Sequence, residues 1–146
     1  MGTLLTAFRE RTDVPVLLKM PPFTSAEERA TVLDLARAAV DAGAQGLVCS
    51  NTVPVEEPRL AAGRGGLSGA PLRELTPQIV SDVGAATGRS VPIVACGGIF
   101  TQEDMRACLD AGATAVQLYS GLIYRGPGIV GDLTRGLQAP SQAADT

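Results

Sequence analysis

Four short apolar runs, each followed by a stretch of different periodicity, recur along this chain and limit what it can fold into. Val14-Pro-Val-Leu-Leu-Lys19 is apolar up to its closing charge and reads as a buried strand. Residues 24–42 follow as a helix. Ser25 and Glu28 fit a capping box, Ala30, Leu33, Ala36 and Val40 form a stripe at helical spacing, and Gly43 stops it. Gly46-Leu-Val-Cys-Ser50 is the second strand, and a long glycine-rich loop leads to a helix over 76–87 with Pro77 in its first turn. Pro92-Ile-Val-Ala95 is the third strand. The helix over 101–111 is opened by Thr101 and Asp104 and stopped by Gly112. Thr114-Ala-Val-Gln-Leu118 is the fourth strand, residues 119–128 read as a glycine-containing loop, and a last helix runs to about Leu137. Residues 138–146 are small and polar and are expected to form a disordered tail.

Continuous apolar strands alternating with amphipathic helices imply an α/β fold with a parallel sheet covered on its faces. A small doubly wound sheet fits this pattern, and so does half of a (β/α)8 barrel, which as a whole needs ~200 residues or more. The strand ends favour the half-barrel, four parallel β/α units. Lys19, Ser50-Asn51-Thr52, Gly97-Gly98 and Tyr119-Ser120 all stand where strands finish, and a barrel gathers those ends on one face. With 146 residues, 45% apolar but only 3% aromatic, the chain suits one domain with a small-residue core.

Several function classes fall away. The net charge is −3 with scattered charges, so no nucleic-acid footprint is present. There is no histidine, and the three cysteines make no C-x-x-C pair. A Ser-His-Asp triad, a Cys-His pair and a zinc site are thereby removed, and no metal site is expected. Cys49, Cys96 and Cys108 are expected as small core hydrophobes, reduced in a cytosol-like compartment. Residues 1–11 lack the apolar centre of a signal peptide, and no run approaches the ~18 apolar residues of a spanning helix. A cytoplasmic location is therefore expected.

The strand ends carry the chemistry. An ammonium at Lys19 can stabilise an anion at a barrel mouth, or simply reach solvent. Ser50, Asn51 and Thr52 offer consecutive hydrogen-bonding groups to a planar, amide-rich ligand, or serve a turn. Gly65-Gly-Leu-Ser-Gly69 and Gly97-Gly98 leave backbone N–H groups accessible to a phosphate, or make tight turns. Tyr119 and Ser120 can complete such a cradle, or Tyr119 can be a packing residue.

Five segments together resemble the C-terminal half of the dihydroorotate dehydrogenase family: Leu18-Lys-Met-Pro-Pro22, Cys49-Ser-Asn-Thr52, Gly65-Gly-Leu-Ser-Gly-Ala-Pro-Leu-Arg73, Val91-Pro-Ile-Val-Ala-Cys-Gly-Gly-Ile99 and Ala111-Gly-Ala-Thr-Ala-Val-Gln-Leu-Tyr-Ser-Gly121. The glycine-rich and Val-Gln-Leu-Tyr segments look closest to the quinone-linked, membrane-associated class. The resemblance implies a partial FMN-binding barrel domain over residues 12–137. It implies FMN-dependent oxidation of dihydroorotate to orotate in pyrimidine biosynthesis. By position, Lys19 resembles the lysine facing the isoalloxazine. Ser50, Gly69, Gly98, Tyr119 and Ser120 resemble FMN ligands, and Asn51 and Thr52 resemble the pair that binds dihydroorotate or orotate. Ser50 and Ser120 each replace a usual Thr, and Phe23 stands where an Asp often follows Pro22, which should alter that loop.

The family's first four β/α units carry its proton-abstracting base, and the matching region would precede Thr12. No catalytic base is therefore expected here, and the chain alone is expected to be inactive. A quinone is the acceptor the resemblance suggests, with the intact enzyme peripheral at the inner face of the membrane. A non-catalytic flavin- or phosphate-binding half-barrel and a dihydropyrimidine dehydrogenase-like flavin domain remain alternatives. Four strands also leave two open edges, so self-association is expected.

Overall fold

The structure is a computed structural model that describes residues 2–138. Its centre is a four-stranded parallel sheet in the order β1 (Leu17–Lys19), β2 (Gly46–Cys49), β5 (Ile93–Cys96) and β6 (Ala115–Gln117). Each strand pairs with the next of the series, and the helices α2 (Ala26–Asp41), α3 (Leu75–Ala86) and α4 (Gln102–Asp110) make the connections. This is the partial (β/α)8 barrel expected from the strand–helix alternation.

Both predicted capping boxes form. The Ser25 hydroxyl accepts from Glu28 N–H and the Thr101 hydroxyl from Asp104 N–H, while each carboxylate reaches back to the cap backbone. The apolar stripe of α2 is turned slightly from its predicted position. Val32, Leu33, Ala36 and Ala39 are buried, whereas Ala30 is exposed and Val40 half-buried. Those side chains belong to one buried core with Ile79, Val80 and Val83 of α3, Met105 and Cys108 of α4, and Leu47, Cys49, Ile93 and Ala95 from one face of the sheet. All three cysteines are free and buried, as small core residues would be.

The strands depart from the expectation of uniform burial. Central β2 and β5 are largely buried, but β1 and β6 expose alternate residues. Side chains alternate across a strand, so Lys19, Val48, Val94 and Ala115, aligned in register, share the face opposite the helices. That inner face carries no covering layer among the described residues, and the two outer strands have a neighbour on one side only.

Three elements lie outside the sequence reading. An N-terminal helix α1 (Gly2–Arg9) precedes the first strand. The long loop folds into an antiparallel hairpin, β3 (Val53–Glu56) with β4 (Arg64–Leu67), followed by a 3₁₀ turn over Ala70–Leu72. The segment read as a loop over 119–128 is mostly a short helix, α5 (Ser120–Arg125), ahead of α6 (Gly128–Gln138). The expected tail, apart from Gln138, lies outside the described residues. Among the described residues no helix is long and apolar enough to cross a membrane.

Candidate functional site

The carboxyl ends of the four strands open into one cleft of about 230 Å³. All eight predicted site residues line it: Lys19, Ser50, Asn51, Thr52, Gly69, Gly98, Tyr119 and Ser120. They come from four separate β/α connections, so only the parallel sheet brings them together.

Lys19 ends β1 and its ammonium lies 3.6 Å from the Cys96 thiol at the end of β5. Nearby, Ser50 N–H donates to Cys96 C=O at 3.0 Å and Asn51 N–H to Met20 C=O at 2.9 Å. These bonds extend the sheet past its last strand residues and fix where Asn51 begins. The Asn51 side-chain carbonyl accepts from Thr52 N–H at 2.9 Å, and the buried Ser50 hydroxyl donates to Asn51 C=O at 3.1 Å. Thr52 in turn supports the hairpin, since a Cβ on Gly66 would come within 2.8 Å of Thr52 Cβ.

Opposite this polar turn lies a side-chain-poor wall. Gly69 and Gly98 both have φ near +75 to +80, backbone that glycine adopts without a steric penalty. A Cβ on Gly98 would sit 2.5 Å from Arg73 Cα and 2.6 Å from Leu72 C, so the two loops touch backbone to backbone. A Cβ on Gly69 would approach Ser120 Cβ at 3.3 Å. The Ser120 hydroxyl donates to the Ser68 hydroxyl at 3.2 Å, and Arg125 of α5 donates to Phe100 C=O at 2.5 Å. Three loops thus close around a small space edged by two hydroxyls.

Burial sets the state of the nearby thiols. Desolvation pushes the Cys49 thiol up to about 12, and desolvation with the neighbouring Asp104 charge pushes Cys108 up to about 11. Both are protonated, inert core groups at neutral pH.

Burial distinguishes two residues whose roles the sequence left open. Tyr119 is no packing residue: it is 76% exposed on the mouth of the cleft, because no layer stands beside β6. Phe23, which replaces an acidic residue in the resemblance, is buried in the hydrophobic core and anchors its loop there. Sequence reasoning missed Ser68, Cys96 and Gln117 as lining residues. Period-2 alternation from Lys19 and from Val94 would have pointed Cys96 and Gln117 at the same face.

Comparison with known proteins decides the family. A sequence model described as dihydroorotate dehydrogenase matches residues 2–140. The chain belongs to the dihydroorotate dehydrogenase family. Among similar members, the "Dihydroorotate dehydrogenase (quinone)" of Myxococcus xanthus is 42% identical over 141 residues, covering 91% of this chain and 38% of that protein. Its counterpart in Anaeromyxobacter dehalogenans is 45% identical over 127 residues, covering 84% and 34%. A crystal structure of ligand-free dihydroorotate dehydrogenase from Eimeria tenella superposes with a TM-score of 0.77 at 30% identity, covering 93% of this chain and 44% of that one. The chain therefore spans less than half the length of these dihydroorotate dehydrogenases.

Proposed function

We propose that this chain forms the phosphate-binding and part of the substrate-binding half of an FMN-dependent dihydroorotate dehydrogenase. The observation that carries the reading is the single cleft joining a cation, an amide–hydroxyl turn and a side-chain-free cradle. The fit is specific in kind. The cradle of Gly69, Gly98 and Ser120, where a Cβ on Gly69 would crowd Ser120 and Gly98 lets the two loops close up behind it, suits the compact phosphate of FMN. When bound, FMN supplies the two-electron acceptor for oxidation of dihydroorotate to orotate.

The chain's own residues then have distinct tasks. Lys19 holds positive charge over the inner face, where it favours an anionic ligand. Asn51 presents an amide, able to donate and accept, to a planar pyrimidine, with the Thr52 hydroxyl beside it. Ser50 shapes this turn from below by holding Asn51 C=O. Ser68 and Ser120 supply hydroxyl donors to the phosphate, and Tyr119 covers the outer side. The family's proton-abstracting base belongs to its first four β/α units, which have no counterpart among the described residues, so the chain alone is proposed to bind without turning over. A quinone as final acceptor, at the inner face of the membrane, is the finer part of the proposal; the relatives' names support the quinone.

Orotate binding by calorimetry tests the reading. Wild-type chain with FMN is expected to bind orotate weakly, and Asn51→Ala is expected to abolish that binding. Unchanged orotate affinity in Asn51→Ala would favour a flavin-binding module without this substrate. Stoichiometric flavin on the purified chain, bleached by dihydroorotate, would overturn the inactive-half reading.

A further inference from the structure

The wall of the cradle is built from two loops whose backbones meet at Gly98, with the buried Leu72 side chain packed beside Gly97. Residues 68–73 follow the hairpin, and residues 97–100 follow β5. Glycine lets these backbones touch but gives them nothing to grip. The polar tie between them is Asp104, the third residue of α4, which is only 7% exposed. Its Oδ2 accepts from Phe100 N–H at 2.9 Å and Thr101 N–H at 3.0 Å, the ordinary work of a capping box. Its Oδ1 lies 2.8 Å from Nε of Arg73, at the end of the other loop. Capping requires no such bond. One buried carboxylate therefore holds both loops, with charge-assisted geometry on the Arg73 side. The contact lies directly behind Gly98, whose Cα faces the Arg73 backbone.

We propose that Asp104 and Arg73 form a positioning clamp that sets the spacing of the two glycine loops and thereby the affinity for the phosphate of the flavin. The inference rests on the FMN reading above. Neither residue lines the cleft, so both act through the backbone they hold. A binding group displaced by more than ~0.5 Å loses much of its value, so a tie between the two loops bears on phosphate affinity.

The test compares FMN with riboflavin, which lacks the phosphate, by flavin fluorescence titration on the full chain. Wild type is expected to prefer FMN. Arg73→Gln removes only the crossing bond and leaves both capping bonds of Asp104. It is expected to lose about tenfold in FMN affinity, the scale of one charge-assisted hydrogen bond, while riboflavin affinity stays put. Asp104→Asn should do the same, and Arg73→Lys should recover part of the preference. Thr101→Ala serves as the control: it loses a cap and melts earlier, yet keeps the clamp and the wild-type FMN-to-riboflavin ratio. A wild-type ratio in Arg73→Gln, or equal weakening of both flavins, overturns the clamp. If Arg73→Gln fails to fold, Asp104→Asn decides by the same ratio. Wild-type chain that binds both flavins equally, or neither, overturns the phosphate reading itself and the clamp with it.

Discussion

Gly98 has room for a hydrogen and nothing larger. It combines a positive φ with backbone of residues 72 and 73 on its Cα, so Gly98→Ala meets both strain and collision. We expect a loss of about 2–4 kcal/mol in urea unfolding, with the flavin cradle lost alongside. The buried thiols make a second prediction at this scale. Cys49 and Cys108 bind their protons more tightly folded than unfolded. Their contribution to stability is whole below the unfolded thiol value of 9.0 and is lost as pH climbs through about 11 and then about 12. Unfolding curves from pH 8 to 11 should show falling stability, with a shallower fall in Cys49→Ala. In native protein at pH 8 both thiols should resist alkylation, and full reactivity should appear only in denaturant. Seven of the eight predicted cleft residues were legible as strand ends, and Gly69 as part of a glycine-rich loop. The Asp104–Arg73 bond was not, since it joins residues 31 positions apart on the chain with no periodic relation.

Helices and hairpin differ in how their sequences declare them. A capping box is a three-residue pattern, so Ser25–Glu28 and Thr101–Asp104 could be read directly. Replacing Thr101 by Ala should cost about 1 kcal/mol, measured by thermal or urea unfolding. The Arg29–Asp82 pair links α2 to α3 through two bonds of 2.7 Å, both side chains partly exposed. Hydrogen bonds from Arg29, and its charge, hold the Asp82 carboxyl below its ordinary value. The pair's contribution is therefore present above the unfolded carboxylate value of 3.8 and disappears as pH falls through the lowered one. Arg29→Ala should lower the melting temperature slightly at pH 7 and low salt, and much less at pH 2 or in molar salt. The hairpin escaped detection because its second strand, Arg64–Leu67, is half glycine and shows no alternation to read. Helix α5 escaped because six residues with Gly121 inside and Gly126 behind look like a turn. The first and fourth strands pair only over Leu17–Lys19 and Ala115–Gln117, shorter than their apolar segments, because pairing partners run out.

Across the whole molecule, exposed apolar side chains concentrate where the sheet is open. Phe8, Val14 and Leu17 are exposed in the segment leading into and including β1, and Tyr119, Ile123 and Tyr124 follow β6. Such patches beside unpaired strand edges favour association. Sedimentation velocity should show a concentration-dependent shift, and Ile123→Lys with Tyr124→Lys should reduce it without changing the circular dichroism spectrum. The alternation of runs made the parallel half-barrel legible, whereas the open inner face was not, because periodicity reports a strand's alternation and not its neighbours. The order β1-β2-β5-β6 repeats the order of the chain. Every strand after β1 finds its partner already made, so the sheet can grow from one side as the polypeptide leaves the ribosome, each finished unit serving as the template for the next. Swapping, duplicating or appending a whole unit at either side leaves the earlier seams untouched, and a wall of this kind is assembled, and can be re-engineered, like courses of brick.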